Sequence, residues 1–345
     1  MRGFAATAQP PGSKEIRAVM TNARVALAHY IPGDLDDIVA DAGPDDLEIV
    51  KMDVQASEEA QSEALKDADV LFFVFGGKMP DSVLRQAARL RFIQTMSAGY
   101  DYLNLDLIKE LEIPLATSGD MNSPAVAEHT VALILAVARK LVRADAAVRA
   151  GGWLLQQPAT DPYTYGEIFG KRVGIVGLGN IGRNVAQRLQ GFNCELVYAS
   201  PSALPKDQER ELGVVRVGLD ELFETSDIVT LHVPLTSETR HMVNRDRLER
   251  MKPSAILINT TRGAVVDEAA LTEALQDDVI AGAGLDVFDI EPPAKDNPLF
   301  GLDNVVVTPH VGGGTSGTQE RIIAFCWQNI QDTLEGRGPR NVVPL

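Results

Sequence analysis

In the second half of this chain the apolar positions fall in short unbroken runs. Segments 172–176, 195–199, 228–232, 254–259, 281–286 and 304–308 each read as a strand. Runs such as Ala255-Ile-Leu-Ile258 and Val305-Val-Val307 leave no polar position for a solvated face, as in parallel sheets covered on both sides. Between them lie stretches with helical spacing, around 181–191, 245–251 and 268–276. This alternation predicts a doubly wound α/β fold. The first half shows the same pattern. Segment 70–75 reads as a buried strand ending at Gly76-Gly77, and 91–96 as another ending at Ser97-Ala98-Gly99. Segment 81–90 between them is helical in pattern, with Asp81 as N-cap. A long helical pattern over 122–149 opens at Asn122-Ser-Pro124, and a second covers 318–334.

Two α/β domains are therefore expected. One spans 122–315 and is inserted between 15–121 and 316–345, with inter-domain helices near 122–150 and 318–334. Residues 1–14, rich in Gly, Pro and Ala and without an apolar h-region, read as a loose tail rather than a secretory signal. A length of 345 residues suits two domains.

One turn gives the inserted domain a chemistry. The strand 172–176 runs directly into Gly177-Leu-Gly179-Asn180-Ile181-Gly182, and an amphipathic helix follows. Gly177 permits a tight turn, Gly179 lets the backbone approach a pyrophosphate, and Gly182 lets helix and strand pack closely. The helix N-terminus adds free N–H groups and the positive end of its dipole. Strand, glycines and helix in that order predict a dinucleotide site.

Composition then excludes other partners. A net charge of −16 argues against nucleic acid and anionic membranes, which need basic patches. No apolar run reaches a membrane span. Cys194 and Cys326 match no metal or redox spacing, so a reduced, cytoplasmic protein without a metal is expected.

Hydride transfer to a carbonyl also needs a proton donor and a cation for the substrate. Three residues sit where strands end, which is where open α/β sheets bind ligands: Arg262, Glu291 and His310. A guanidinium there suits a bidentate carboxylate clamp. A carboxylate hydrogen-bonded to an imidazole favours the protonated ring and so makes a proton donor. His29, His129, His232 and His241 read as structural by themselves.

These motifs together resemble the D-isomer-specific 2-hydroxyacid dehydrogenases. The resemblance runs from about Val70 to the last helix. It is carried by Val173-Gly-Ile-Val-Gly-Leu-Gly-Asn-Ile-Gly182, His232-Val-Pro-Leu-Thr236 with Thr239, Asn259-Thr-Thr-Arg-Gly263, Gly284-Leu-Asp-Val-Phe288 with Glu291-Pro292, and Thr308-Pro-His310. It implies two Rossmann-like doubly wound parallel-sheet domains, the nucleotide domain inserted into a flavodoxin-like substrate domain, with the active site in the cleft between them. It implies His310 as acid/base, Glu291 as its partner and Arg262 as substrate clamp. The dinucleotide would meet Gly177, Gly179, Asn180, Ile181, Gly182, Ser200, Ser202, His232, Val233, Pro234, Thr239, Thr260, Arg262, His310 and Gly312. Asp286 would accept from the nicotinamide carboxamide. The substrate carboxylate would meet the N–H groups of Ser97, Ala98 and Gly99, with Gly76 and Gly77 nearby and Arg262 and His310 completing the site. The partner is a small 2-keto or 2-hydroxy acid, with glyoxylate or hydroxypyruvate the default, and the assembly a homodimer built on the nucleotide domain. Phe75, Met96, Tyr100 and Trp153 are candidate apolar lining of the substrate pocket.

The chain departs from the NAD pattern at one place. The strand 195–199 ends in Ser200-Pro201-Ser202, where an acidic residue normally binds the ribose hydroxyls; Glu195 stands at the opposite end. Ser200, Ser202 and Lys206 make NADP plausible, although no Arg follows directly. The reading leans to NADP and leaves NAD, or both, open. Glu291 speaks against formate dehydrogenases, which pair the His with Gln. Ser97-Ala98 speaks against phosphite dehydrogenases, which carry Lys there. A phosphoglycerate dehydrogenase stays open, without the regulatory domain that would follow Leu345, as does an NAD(H)-sensing corepressor-like scaffold.

Overall fold

The structure, a computed structural model, describes residues 23–29, 34–74, 79–153 and 166–345. Gly76, Gly77, Phe75 and the 1–14 tail lie outside them. The chain divides into two compact units, residues 1–121 with 319–345, and residues 122–318.

The first unit is a five-stranded parallel sheet of β1 (Arg24–His29), β2 (Glu48–Asp53), β3 (Val70–Phe73), β4 (Phe92–Thr95) and β5 (Leu115–Ala116), ordered β2-β1-β3-β4-β5. That is the flavodoxin-like order. Every residue of β3 and β4 is buried, because helices cover both faces. One face packs Leu65, Val83, Leu84, Leu107 and Ile108. The other is covered by helix Ser316–Leu334, whose Ile323, Cys326, Trp327 and Ile330 recur at helical spacing and meet Phe72 and Phe92. Trp327 stacks edge-on against Phe72 at 5.1 Å and donates Nε1–H to the Val39 carbonyl at 2.8 Å.

The second unit is a seven-stranded sheet with every pairing parallel: β6 (Arg172–Val176), β7 (Glu195–Ala199), β8 (Val214–Arg216), β9 (Ile228–Leu231), β10 (Ile256–Asn259), β11 (Gly282–Leu285) and β12 (Val305–Val307). Its order, β12-β11-β10-β9-β6-β7-β8, reverses direction between β6 and β9. In a doubly wound sheet this switch point opens the ligand crevice at the C-terminal strand ends.

Three local expectations are corrected. The 122–149 pattern is two helices, Ser123–Ala138 and Leu141–Arg149, because Lys140 turns the chain through a left-handed conformation at φ 48°. Asp81 lies inside helix Asp81–Gln86, and the cap position is Pro80, which has no side-chain oxygen to offer. Edge strand β8 and its flanking helices, Lys206–Leu212 and Leu219–Thr225, were not among the expected elements. Among the described residues no helix is long and apolar enough to cross a membrane, and no three His, Cys, Asp or Glu side chains gather as a metal site.

Candidate active site

Strands β10, β11 and β12 are adjacent in the sheet, so the residues just beyond their C-terminal ends are brought together. After β10, Asn259 folds the chain back on itself. Its Oδ1 accepts from Thr261 N–H at 3.0 Å and its Nδ2 donates to the Arg262 carbonyl at 3.0 Å. Gly263 follows, and a Cβ there would sit 1.8 Å from the Phe288 carbonyl carbon. Only a glycine lets the loop carrying Arg262 lie against the loop carrying Glu291.

Glu291 is fixed at both carboxylate oxygens. Oε1 accepts from Phe288 N–H at 3.0 Å, and Oε2 lies 2.6 Å from His310 Nδ1. Burial pushes its carboxyl up, but the hydrogen bonds from His310 and the Phe288 N–H, with the charges of His310 and Arg262, outweigh that and hold it below the usual carboxylate range. It is therefore ionised at neutral pH, so Nδ1 is the donor. His310 itself sits at φ 54°, held by its N–H on the Asp286 carbonyl at 2.8 Å.

Asp286 organises this loop from beneath. It is 1 % exposed and accepts from Thr308 Oγ1 (2.5 Å), Val311 N–H (2.9 Å) and Gly312 N–H (2.8 Å). His129, on helix Ser123–Ala138, places Nε2 2.9 Å from Thr308 Oγ1 and 3.3 Å from Asp286 Oδ1. Sequence reasoning set His129 aside as structural. Its partners are 157 and 179 positions along the chain, and no local pattern announces them. Burial raises the Asp286 carboxyl, yet His129, Thr308 and the two backbone N–H groups outweigh it and lower it overall.

The glycine turn adopts the geometry a dinucleotide needs. Gly177 has φ 90°, and a Cβ there would meet the His232 carbonyl oxygen at 2.4 Å; one on Gly182 would meet the Gly177 carbonyl oxygen at 2.2 Å. At Gly179 a Cβ would meet nothing within 4 Å. Open space thus faces the N-terminus of helix Asn180–Leu189, where Asn180, Ile181 and Gly182 have first-turn N–H groups without intrahelical acceptors. These residues fit a pyrophosphate.

The neighbouring loop is built around His232, whose N–H donates to Val176 at 2.7 Å and whose Nε2 lies 2.9 Å from Thr230 Oγ1. Burial drops its pKa to about 3, so the ring is neutral. Beyond Val233, Thr239 Oγ1 donates to the Pro234 carbonyl at 2.6 Å and accepts from Thr236 N–H at 2.7 Å, clasping the loop. Thr260 shares a 3.0 Å hydrogen bond with Thr130. Ser200 and Ser202 follow the end of β7, while Glu195 stands at its start, ion-paired with Arg172 at 3.1 Å.

In the first unit, Thr95 Oγ1 donates to the Ser97 carbonyl at 2.8 Å and Ser97 Oγ to the Gly99 carbonyl at 2.6 Å, shaping the loop through Ala98.

The chain can be set beside known proteins on this basis. Residues 131–312 match the family model described as D-isomer specific 2-hydroxyacid dehydrogenase, NAD binding domain. The glyoxylate reductase of Thermococcus onnurineus is 38% identical over 300 residues, covering 86% of this chain and 89% of that protein. The D-3-phosphoglycerate dehydrogenase of Methanocaldococcus jannaschii is 38% identical over 290 residues, covering 84% of this chain and 54% of that one. Among solved structures, the NADPH-dependent glyoxylate/hydroxypyruvate reductase of Sinorhizobium meliloti, in complex with NADP and malonate, aligns with a TM-score of 0.81 at 27% identity, over 93% of this chain and 96% of that one.

Proposed function

Because the chain belongs to the D-isomer-specific 2-hydroxyacid dehydrogenases, we propose that it reduces glyoxylate or a small relative such as hydroxypyruvate, with His310 as acid/base. As an NAD(P)-dependent oxidoreductase of that family it interconverts a 2-keto acid and a D-2-hydroxy acid. The observation that carries the residue roles is the 2.6 Å contact of His310 Nδ1 with the ionised Glu291, in a loop pressed against that of Arg262. When bound, the nicotinamide supplies the hydride that reaches the keto carbon. His310 Nε2 gives its proton to the carbonyl oxygen, and Glu291 stabilises the imidazolium that precedes transfer. Arg262 holds the substrate carboxylate by a two-point contact. In the first unit, the backbone N–H groups of Ser97, Ala98 and Gly99 are assigned to the same carboxylate. Asp286 is assigned to holding the His310 loop as well as to the nicotinamide side of the site.

Glyoxylate is preferred to a phosphorylated substrate because glyoxylate reductases of Thermococcus, Pyrococcus and Korarchaeum species each match this chain at 38% identity over 298–300 residues. The cofactor reading leans to NADP, supported by Ser200-Pro-Ser202 at the end of β7 and by the NADP held in the Sinorhizobium relative. Cytoplasmic placement belongs to the same reading and is supported by two free cysteines. A panel of 2-keto acids with NADPH and NADH tests it. The largest kcat/KM is expected on glyoxylate or hydroxypyruvate. A preference for the phosphorylated hydroxypyruvate would sink the substrate assignment, and tight cofactor binding without any turnover would favour a sensing scaffold.

A homodimer through the nucleotide unit is part of the proposal. Helix Leu141–Arg149 buries no residue, and Leu141, Val142, Val148 and Trp153 are each more than half exposed. Beside the helix runs a groove of about 830 Å³ whose apolar lining includes Val142, Ala146, Ile256 and Val305. An apolar face of this kind marks an association surface. Light scattering should give twice the chain mass, falling to one chain mass in a Leu141→Glu/Val142→Glu double variant. A monomeric wild type at about 10 μM, where specific dimers are populated, contradicts the dimer.

A further inference from the structure

The loop after β7 carries a cation that its local sequence does not contain. Ser200 and Ser202 stand where the adenosine ribose lies in a Rossmann sheet. Lys206, four residues after Ser202, is already committed. Its Nζ is 2.6 Å from Oε2 of Glu209, a buried carboxylate that also accepts from the Tyr198 hydroxyl at 2.8 Å. The same hydroxyl accepts from Leu204 N–H at 2.9 Å, so the loop is fastened between 198 and 209.

Arg216 is placed differently. Pairing of edge strand β8 with β7 sets Arg216 opposite Tyr198. Its guanidinium reaches over the loop, and Nη2 donates to the carbonyls of Ser200 at 2.9 Å and Pro201 at 3.1 Å. These contacts orient the planar head without neutralising it. Among the described residues no carboxylate pairs with it, and Nε and Nη1 keep their N–H groups. Lys206 is ion-paired with Glu209, whereas Arg216, whose charge Glu209 also feels, has no ion-pair partner within 4 Å among the described residues. Holding a long exposed side chain in one orientation costs conformational entropy. An anion accepting from the remaining N–H groups would offset that ordering.

We propose that Arg216 selects the cofactor: the N–H groups that remain on its Nη1 and Nε donate to the 2′-phosphate of NADP, and the hydroxyls of Ser200 and Ser202 donate to the same phosphate. The proposal rests on the dehydrogenase reading above and names the group that makes its dinucleotide site prefer NADP. A guanidinium can hold the loop carbonyls through one nitrogen and still offer N–H donors to a phosphate from the others, which a lysine's single ammonium cannot do. Because Arg216 is exposed, its effect weakens with salt.

Fluorescence titration of NADPH and NADH, with displacement by 2′,5′-ADP, on wild type, Arg216→Ala and Arg216→Lys tests this. Wild type should bind NADPH more tightly than NADH. Arg216→Ala should reduce the NADPH:NADH affinity ratio by about 10- to 100-fold, the span expected for hydrogen bonds to a charged group. Arg216→Lys should fall between the two. Affinity for 2′,5′-ADP should drop with the NADPH affinity and decline as salt rises. A ratio within twofold of wild type in Arg216→Ala overturns the proposal, including the case where both dinucleotides weaken equally through a disturbed loop. So does a wild type that prefers NADH. Binding of neither dinucleotide to wild type is a separate outcome, which removes the dehydrogenase reading beneath it.

Discussion

Replacing His310 by Ala is expected to lower kcat for keto-acid reduction by about 100- to 10,000-fold, the contribution of a positioned general acid. The dissociation constant of the dinucleotide should change little, because the glycine turn assigned to the pyrophosphate follows β6, separated from β12 by three strands. Steady-state rates and cofactor titration on the same preparation check both halves. A variant that keeps most of its turnover would remove His310 from the chemistry. Glu291→Gln is the companion measurement. The amide oxygen can still accept from Nδ1, so the ring keeps its place, but the counter-charge is gone. The Glu291 carboxyl lies below its usual range, so wild type carries that charge throughout the neutral region and loses it only in acid. Without it the proton donor loses the carboxylate that stabilises it, and kcat should fall about 10- to 100-fold while the dinucleotide Kd holds. A kcat within twofold of wild type would mean that the 2.6 Å contact only orients the ring.

How far the sequence foretold this site follows from the distance between partners. Arg262, Glu291 and His310 were legible because β10, β11 and β12 are short apolar runs, and each residue follows its own run within a few positions. The glycine turn was legible for the same reason. His129 was not, since its partners belong to another strand end and only the packing of helix Ser123–Ala138 on the sheet brings them near. Arg216 was hidden by β8, a three-residue edge strand with one buried position, too short to show a period. The break at Lys140 was missed because neither Gly nor Pro marks it. The chain there is Ala138-Arg-Lys-Leu141, four good helix formers, and a left-handed Lys140 overrides their propensity. In the first half, β2 escapes prediction because it is a half-exposed edge strand with one buried position and so lacks an apolar run.

The largest stability effect is expected at Asp286. Asp286→Ala leaves the Thr308 hydroxyl and the N–H groups of Val311 and Gly312 without their acceptor, and exposes His129 to the same loss. A buried unsatisfied donor costs about 1–3 kcal/mol. Partial relaxation keeps the sum below the simple total, near the 3–5 kcal/mol (about) typical of breaking a buried charged pair. For a unit of this size that lowers Tm on the order of 10 °C. The sign with pH is set by the depressed carboxyl. Its stabilisation is complete above the unfolded value near 3.8 and is lost as pH falls through the lower folded value. The gap in Tm between wild type and Asp286→Ala should therefore be widest at neutral pH and narrow below about pH 4. Turnover should fall with it, because Val311 and Gly312 hold the segment that sets His310 at φ 54°. If Asp286 served only as an acceptor for the cofactor, removing it would raise the cofactor Kd and leave the Tm of the cofactor-free protein where it was. Thermal melts of cofactor-free wild type and variant separate the two, and coincident curves would leave Asp286 no part in holding the His310 loop.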